Sequence, residues 1–173
     1  MKNIILIGFM GCGKTTVGIR LSYRLRRAME DTDKLIEKEE GRTISEIFRT
    51  DGEAFFRGLE TDCLKKLIRT ARNMIISVGG GLPVREENRA LLKQLGTVVY
   101  LCASAETIYE RTKHDTSRPL LQGDDPKGKI RTLLAEREAI YESAADIVID
   151  VNQKGFDEIL EEIAETVDRK EML

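Results

Sequence analysis

Near the amino terminus, Gly8-Phe9-Met10-Gly11-Cys12-Gly13-Lys14-Thr15 matches the pattern G-x-x-x-x-G-K-[ST] in full. Glycines in such a run let the backbone curl until successive N–H groups point at phosphate oxygens. The helix that follows adds the partial positive charge of its N-terminus. Lys14 would reach the β- and γ-phosphates of a nucleotide, and the Thr15 hydroxyl would ligate Mg²⁺. Gly11, Cys12, Gly13, Lys14, Thr15 and Thr16 are therefore the expected nucleotide contacts. Cys12 has two readings, a reactive thiol near a helix N-terminus or a small residue that the turn tolerates.

A phosphate loop alone fits a GTPase, a mechanical ATPase, a nucleotide kinase or a small-molecule kinase. A guanine-reading N-K-x-D is absent, and Asn152-Gln153-Lys154-Gly155 is not one. Ile147-Val148-Ile149-Asp150 imitates a metal-binding strand end, but Asp150 lies so near the carboxyl terminus that a strand-end loop is the better reading. Asp31-Thr32-Asp33 is the stronger acidic site. It follows the first helix, where a crossover strand should end beside the phosphate loop at the carboxyl edge of a sheet. In extended backbone, residues i and i+2 point the same way, which would set both carboxylates at the γ-phosphate. Asp31 would support Mg²⁺ through water, and Asp33 would accept a proton or hydrogen bond from an attacking hydroxyl. The competing role for Asp33 is to N-cap a helix over 34–40 that Gly41 ends.

Gly79-Gly80-Gly81 follows another apolar run, and three glycines in succession let a backbone approach a ligand closely. Three arginines could serve a carboxylate or a migrating phosphoryl group: Arg57 with Glu60 at i+3, Arg118 in Arg118-Pro119-Leu120-Leu121, and Arg137. His114 reads as a solvated loop residue.

These groups need a frame. Short apolar runs alternate with helical periodicities, the mark of βαβ units and a parallel sheet. Strands are predicted at 4–7, 74–78, 98–101 and 147–149, with a weaker one at 28–30. Leu64, Leu67, Ile68 and Ala71 share one helical face, as do Phe156, Ile159, Leu160, Ile163 and Val167. Thr43 and Glu46 fit a capping box, and Asp125-Pro126 fits an N-cap with proline at the first helical position. Between Lys113 and Lys129 the chain turns polar, a pattern that predicts a mobile surface loop leading into a helix.

The 173 residues suit one domain at about 150 residues each, with no repeat or linker to divide them. A formal charge of −2 argues against a dedicated nucleic-acid binder, whose footprint would be strongly basic. Hydrophobic residues at 41% and charged residues at 34% fit a globular chain, and no apolar run approaches the roughly 18 residues of a membrane span. The three cysteines have no zinc-type spacing and are odd in number, which reads as reduced thiols in a cytoplasmic enzyme.

The phosphate loop, Asp31-Thr32-Asp33, Gly52-Glu53 with Phe56-Arg57 and Glu60, the triple glycine, Arg118-Pro119-Leu120-Leu121, and Arg137 with Tyr141 together resemble the shikimate kinase family over nearly the whole chain. The loop is generic; its combination with the other motifs is far more specific. The resemblance implies an α/β, three-layer fold of the nucleoside-monophosphate-kinase type, with a five-stranded parallel sheet in the order 2-3-1-4-5. It implies a mobile lid at 112–125 and an acceptor-binding segment at 31–62. It implies transfer of the γ-phosphoryl of ATP to the 3-hydroxyl of shikimate with Mg²⁺, by a monomer that needs no nucleic acid or membrane.

Carried over by position, Lys14 and Arg118 stabilise the transferring phosphoryl, Thr15 binds Mg²⁺ and Asp31 supports it through water. Asp33 engages the reacting hydroxyl, Arg57 and Arg137 grip the carboxylate, Gly79, Gly80 and Gly81 line the acceptor, and Arg111 packs on adenine. Two departures stand out. Gln153-Lys154-Gly155-Phe156 occupies a loop where many members have a proline, and Ala28-Met29-Glu30 is polar for a strand. A gluconate-type sugar-acid kinase and a non-enzymatic nucleotide sensor are the rival functions.

Overall fold

A computed structural model describes residues 2–116 and 123–172. β1 (Asn3–Ile7) is buried at every position. That is the pattern of a central parallel strand covered on both faces, which needs an unbroken apolar run rather than an alternating one. β1 pairs in parallel with β3 (Ile75–Ser77) on one side and β4 (Gly96–Cys102) on the other. β2 (Met29–Asp31) lies outside β3, and β5 (Ile147–Asp150) lies outside β4. The result is the expected five-stranded order, β2-β3-β1-β4-β5.

Position in the sheet explains the strand sequences. β5 is an edge strand, and its residues alternate between buried Ile147 and Ile149 and exposed Val148 and Asp150. β2, the other edge, is three half-buried residues long with Glu30 at its centre. Short, charged edges resist pairing with another chain, so the polarity of 28–30 is an edge-strand property. Asn3 ties the central strand down. Its Nδ2 donates to Ala71 O at 3.2 Å and Leu95 O at 2.9 Å, while its Oδ1 accepts from Met74 N at 2.9 Å.

Helices fill both faces. α1 (Lys14–Leu25) buries Val17, Gly18 and Leu21. α2 (Thr32–Glu40) and α3 (Ile44–Asp51) lead into α4 (Glu53–Thr70), with Gly52 at φ 86° closing one helix and opening the next. The capping box at α3 forms as predicted: Glu46 N donates to Thr43 Oγ1 at 3.2 Å, and Thr43 N donates to Glu46 Oε2 at 2.7 Å. α4 buries Leu64 and Leu67; Ala71, just past its end, is also buried.

A single 3-10 turn (Leu82–Val84) precedes α5 (Glu86–Leu95), and α6 (Ala105–Thr112) follows β4. α7 (Pro126–Ala144) starts where Asp125 Oδ1 accepts from Gly128 N at 3.1 Å. The polar stretch therefore runs into a helix at Pro126 with Asp125 as its cap, as the sequence predicts. Residues 117–122 of the predicted lid lie outside the described residues. α8 (Phe156–Glu171) buries Ile159, Leu160, Ile163 and Val167, as its periodicity requires. Among the described residues, no helix is long and apolar enough to cross a membrane.

Candidate active site

The loops that follow β1, β2 and β3 meet at the carboxyl edge of the sheet, where ligands bind in open parallel folds. After β1 the chain curls tightly. Gly11 at φ 77° and Gly13 at φ 99° adopt the left-handed region, which favours glycine. α1 begins at Lys14 with no acidic residue in its first turn, so nothing neutralises its positive end. Lys14 folds back over the curl, its Nζ donating to Gly8 O at 2.7 Å and Phe9 O at 3.0 Å.

Cys12 keeps its thiol inside the fold. Its side chain is 1% exposed, and it does not line the cavity as its neighbours Gly11 and Gly13 do. The small-residue reading therefore holds, and what Cys12 offers is backbone: its carbonyl accepts from Arg111 Nη1 at 2.7 Å. Arg111 thus comes from α6 to the flank of the loop. Phe156, at the start of α8, also lines the cavity, with the Arg20 guanidinium 4.7 Å from its ring centroid.

The two aspartates meet the cavity by a route other than an extended i, i+2 pair. Asp31 ends β2 and is itself the N-cap of α2, its Oδ1 accepting from Asp33 N at 2.9 Å and Lys34 N at 3.2 Å. Asp33 is no cap; it stands in the first helical turn. The strand stops at Asp31 rather than running through Asp33, and capping passes to the earlier residue. Asp33 Oδ1 is buried with no hydrogen-bond partner. Burial and the neighbouring Asp31 push its carboxyl up to about 6, against the pull of Lys14 and Arg57.

The acceptor half is built on α4 and the glycines after β3. Arg57 Nη1 bonds Glu60 Oε1 at 2.6 Å, and its Nη2 bonds Glu53 Oε1 at 3.2 Å. Two carboxylates thus hold one guanidinium in place, and its Cζ stands 5.5 Å from the centroid of the Phe56 ring. Glu60 is fully buried, and burial raises its carboxyl to about 7 although Arg57 pulls it down. Its Oε2, like Asp33 Oδ1, has no partner. Both atoms face Gly79: a Cβ there would stand 2.9 Å from Asp33 Oδ1 and 3.0 Å from Glu60 Oε2. At Gly81 a Cβ would overlap the Arg57 guanidinium. At Gly80 it would meet Met10 N of the phosphate loop at 3.3 Å. The three glycines are therefore the thin wall where the two half-sites touch.

One cavity of about 720 Å³ runs across both halves. Every site residue expected from the sequence and lying among the described residues lines it, Cys12 excepted. Arg137 reaches it from α7; Arg118 lies outside the described residues. Sequence reasoning missed Ile44, Ser45 and Phe156 as cavity walls. The first two sit at the N-terminus of α3, and the capping box there was the available signal.

A nucleotide-phosphate cradle sharing one cavity with a carboxylate-ready pair of guanidiniums and a buried acid defines a P-loop kinase of small, anionic hydroxy compounds. A family model described as shikimate kinase matches residues 10–168. A shikimate kinase of Neisseria gonorrhoeae is 47% identical over 154 residues, covering 87% of this chain and 90% of that protein. The solved structure of shikimate kinase from Acinetobacter baumannii in complex with shikimate superposes with a TM-score of 0.93 at 38% identity, covering 100% of this chain and 96% of that one. The chain belongs to the shikimate kinase family, ATP-dependent enzymes of aromatic amino-acid biosynthesis. A gluconokinase from Sinorhizobium meliloti, with a TM-score of 0.54 at 16% identity, shares the fold alone.

Proposed function

We propose that the chain transfers the γ-phosphoryl group of ATP to the 3-hydroxyl of shikimate through the residues gathered around Gly79. The observation that carries this reading is Asp33, which lines the cavity shared by the phosphate loop and the arginines and whose buried Oδ1 has no hydrogen-bond partner. Arg57 and Arg137 hold the acceptor's carboxylate, so the ring presents a hydroxyl to Asp33. The carboxylate takes the hydroxyl proton as the oxygen bonds to the γ-phosphorus. The bond from that phosphorus to the β–γ bridging oxygen breaks, and ADP leaves. Lys14 and the N–H groups of the loop neutralise charge on the migrating group, and alignment supplies much of the rate. Arg111 and Phe156 flank the space for the base.

Mg²⁺ fits the donor set. Among the described residues no cluster of three or more metal-binding side chains exists, so no all-protein cage is offered. Mg²⁺ instead favours one or two protein oxygens plus phosphates and water. Thr15 and Asp31 line the cavity beside the loop, and Asp31 Oδ2 is left over from capping. Thr15, and Asp31 through water, would hold the ion, which would supply charge neutralisation at the phosphates.

Segment 31–62 is the acceptor-binding part in this reading; the lid expected at 112–125 includes Arg118, which lies outside the described residues. The enzyme acts as a cytoplasmic monomer. For the compartment, the support is that Cys12, Cys63 and Cys102 are free thiols, as a reducing environment keeps them. An ADP-release assay with Mg·ATP and either shikimate or gluconate tests the function. Turnover stimulated by shikimate alone is expected; a preference for gluconate, or ATP binding without acceptor-stimulated turnover, overturns it.

A further inference from the structure

One hydroxyl that the reaction itself does not use joins the parts of the acceptor half. Tyr141 is fully buried on α7, one turn beyond Arg137 and on the same face. Its Oη donates to Gly80 O at 2.6 Å; burial raises the hydroxyl's pKa, and Arg137, four residues earlier on the helix, pulls against that rise. Its ring packs on Tyr100 with centroids 5.2 Å apart, which fixes where the hydroxyl points.

The peptide between Gly80 and Gly81 is trans, so the carbonyl of one and the N–H of the next point in opposite directions. A hydroxyl that anchors Gly80 O therefore also aims Gly81 N–H. Among the described residues nothing accepts from the N–H of Gly80 or of Gly81. Gly79 O accepts from Leu82 N at 3.1 Å and Gly81 O accepts from Val84 N at 3.2 Å, and the carbonyl between them, Gly80 O, is the one that Tyr141 holds. Gly81 in turn lies against the Arg57 guanidinium.

We propose that Tyr141 is a positioning residue for the acceptor's carboxylate. Its hydroxyl couples Arg137 to the Gly80–Gly81 peptide, and through Gly81 to Arg57, so that two guanidiniums and backbone N–H groups form one preformed seat. The inference rests on the acceptor reading above, and wild-type turnover with shikimate checks that reading separately.

Tyr141→Phe keeps the ring stack and removes only the hydroxyl. With shikimate its KM should rise about tenfold, with kcat within about twofold and the KM for ATP unchanged. With the analogue whose carboxylate is replaced by a hydroxymethyl group, variant and wild type should perform alike. An unchanged KM for shikimate overturns the proposal. Equal losses on both acceptors, or a parallel rise in the KM for ATP, show a general structural role and overturn it as well. A cycle with Arg137→Lys is the second arm: the double variant should lose clearly less than the product of the single losses, and strict additivity counts against the coupling. Tyr100→Phe, which removes the neighbouring buried hydroxyl, should leave both KM values alone, and a rise for shikimate there assigns the effect to packing instead.

Discussion

Asp33 should impose an acid limb on the reaction at a pH where an ordinary aspartate would impose none. Its carboxyl is raised to about 6 because burial strips its water and Asp31 stands beside it. If the ionised form receives the acceptor's proton, kcat/KM for shikimate follows the fraction of Asp33 that is ionised. At about pH 5 that fraction is roughly a tenth, so the rate should fall about tenfold from its plateau. A solvated aspartate with a pKa of about 3.9 would lose less than about a tenth over the same interval. The assay is ADP release at saturating Mg·ATP with limiting shikimate, from about pH 4.5 to about 8, a window in which the limb of slope one should be visible. Asp33→Asn should lower the rate sharply and abolish the limb, while ATP binding survives. A midpoint below about 4.5, or the same limb in Asp33→Asn, refutes the assignment of the proton to this carboxylate.

Four further outcomes follow from the acceptor half. Arg57→Lys loses the planar fork that Glu53 and Glu60 hold, so the KM for shikimate should rise about ten- to a hundredfold. The KM for ATP should stay put, and equal weakening of both substrates contradicts the role. Gly81→Ala should raise the KM for shikimate at least about tenfold because its Cβ displaces the Arg57 guanidinium. Gly58→Ala, whose Cβ meets nothing within 4 Å on the same helix as Arg57, should leave the KM alone and add about 0.5–1 kcal/mol of stability in urea melts. A benign Gly81→Ala removes the close-approach argument. Glu60 has a folded pKa raised to about 7, so its stabilising contribution is fully present below the unfolded value and is lost as pH rises through about 7. Glu60→Gln has no such loss, so its stability relative to wild type should improve from about pH 5 to about 8 in urea melts; a pH-independent difference contradicts the buried-acid description.

Local signals carried much of the frame. The unbroken run at β1, the glycines and lysine behind it, and Thr43 with Glu46 each specify a conformation through neighbours along the chain. Errors arose where one residue decided the outcome. β2 stops at Asp31, which shifts capping away from Asp33 and turns an extended pair of carboxylates into a strand end plus a helical turn. Other features depend on distant partners that periodicity does not encode. Arg111 meets Cys12 O from 99 residues away, and Tyr141 meets Gly80 O from 61 away. The burial of Glu60 follows from how α4 packs rather than from its own sequence, which offered only an i+3 partner for Arg57. Phe156 was visible as a helical residue, but its place on the cavity wall required knowing where α8 starts relative to Gly13.

The most direct measurement is a crystal structure of the protein with shikimate and a non-transferable ATP analogue bound together. The account predicts the triphosphate tail in the curl at Lys14, the acceptor carboxylate on Arg57 and Arg137, and the 3-hydroxyl between Asp33 and the terminal phosphate. Shikimate seated away from Gly79, Gly80 and Gly81, or turned with its carboxylate toward the nucleotide, would contradict it.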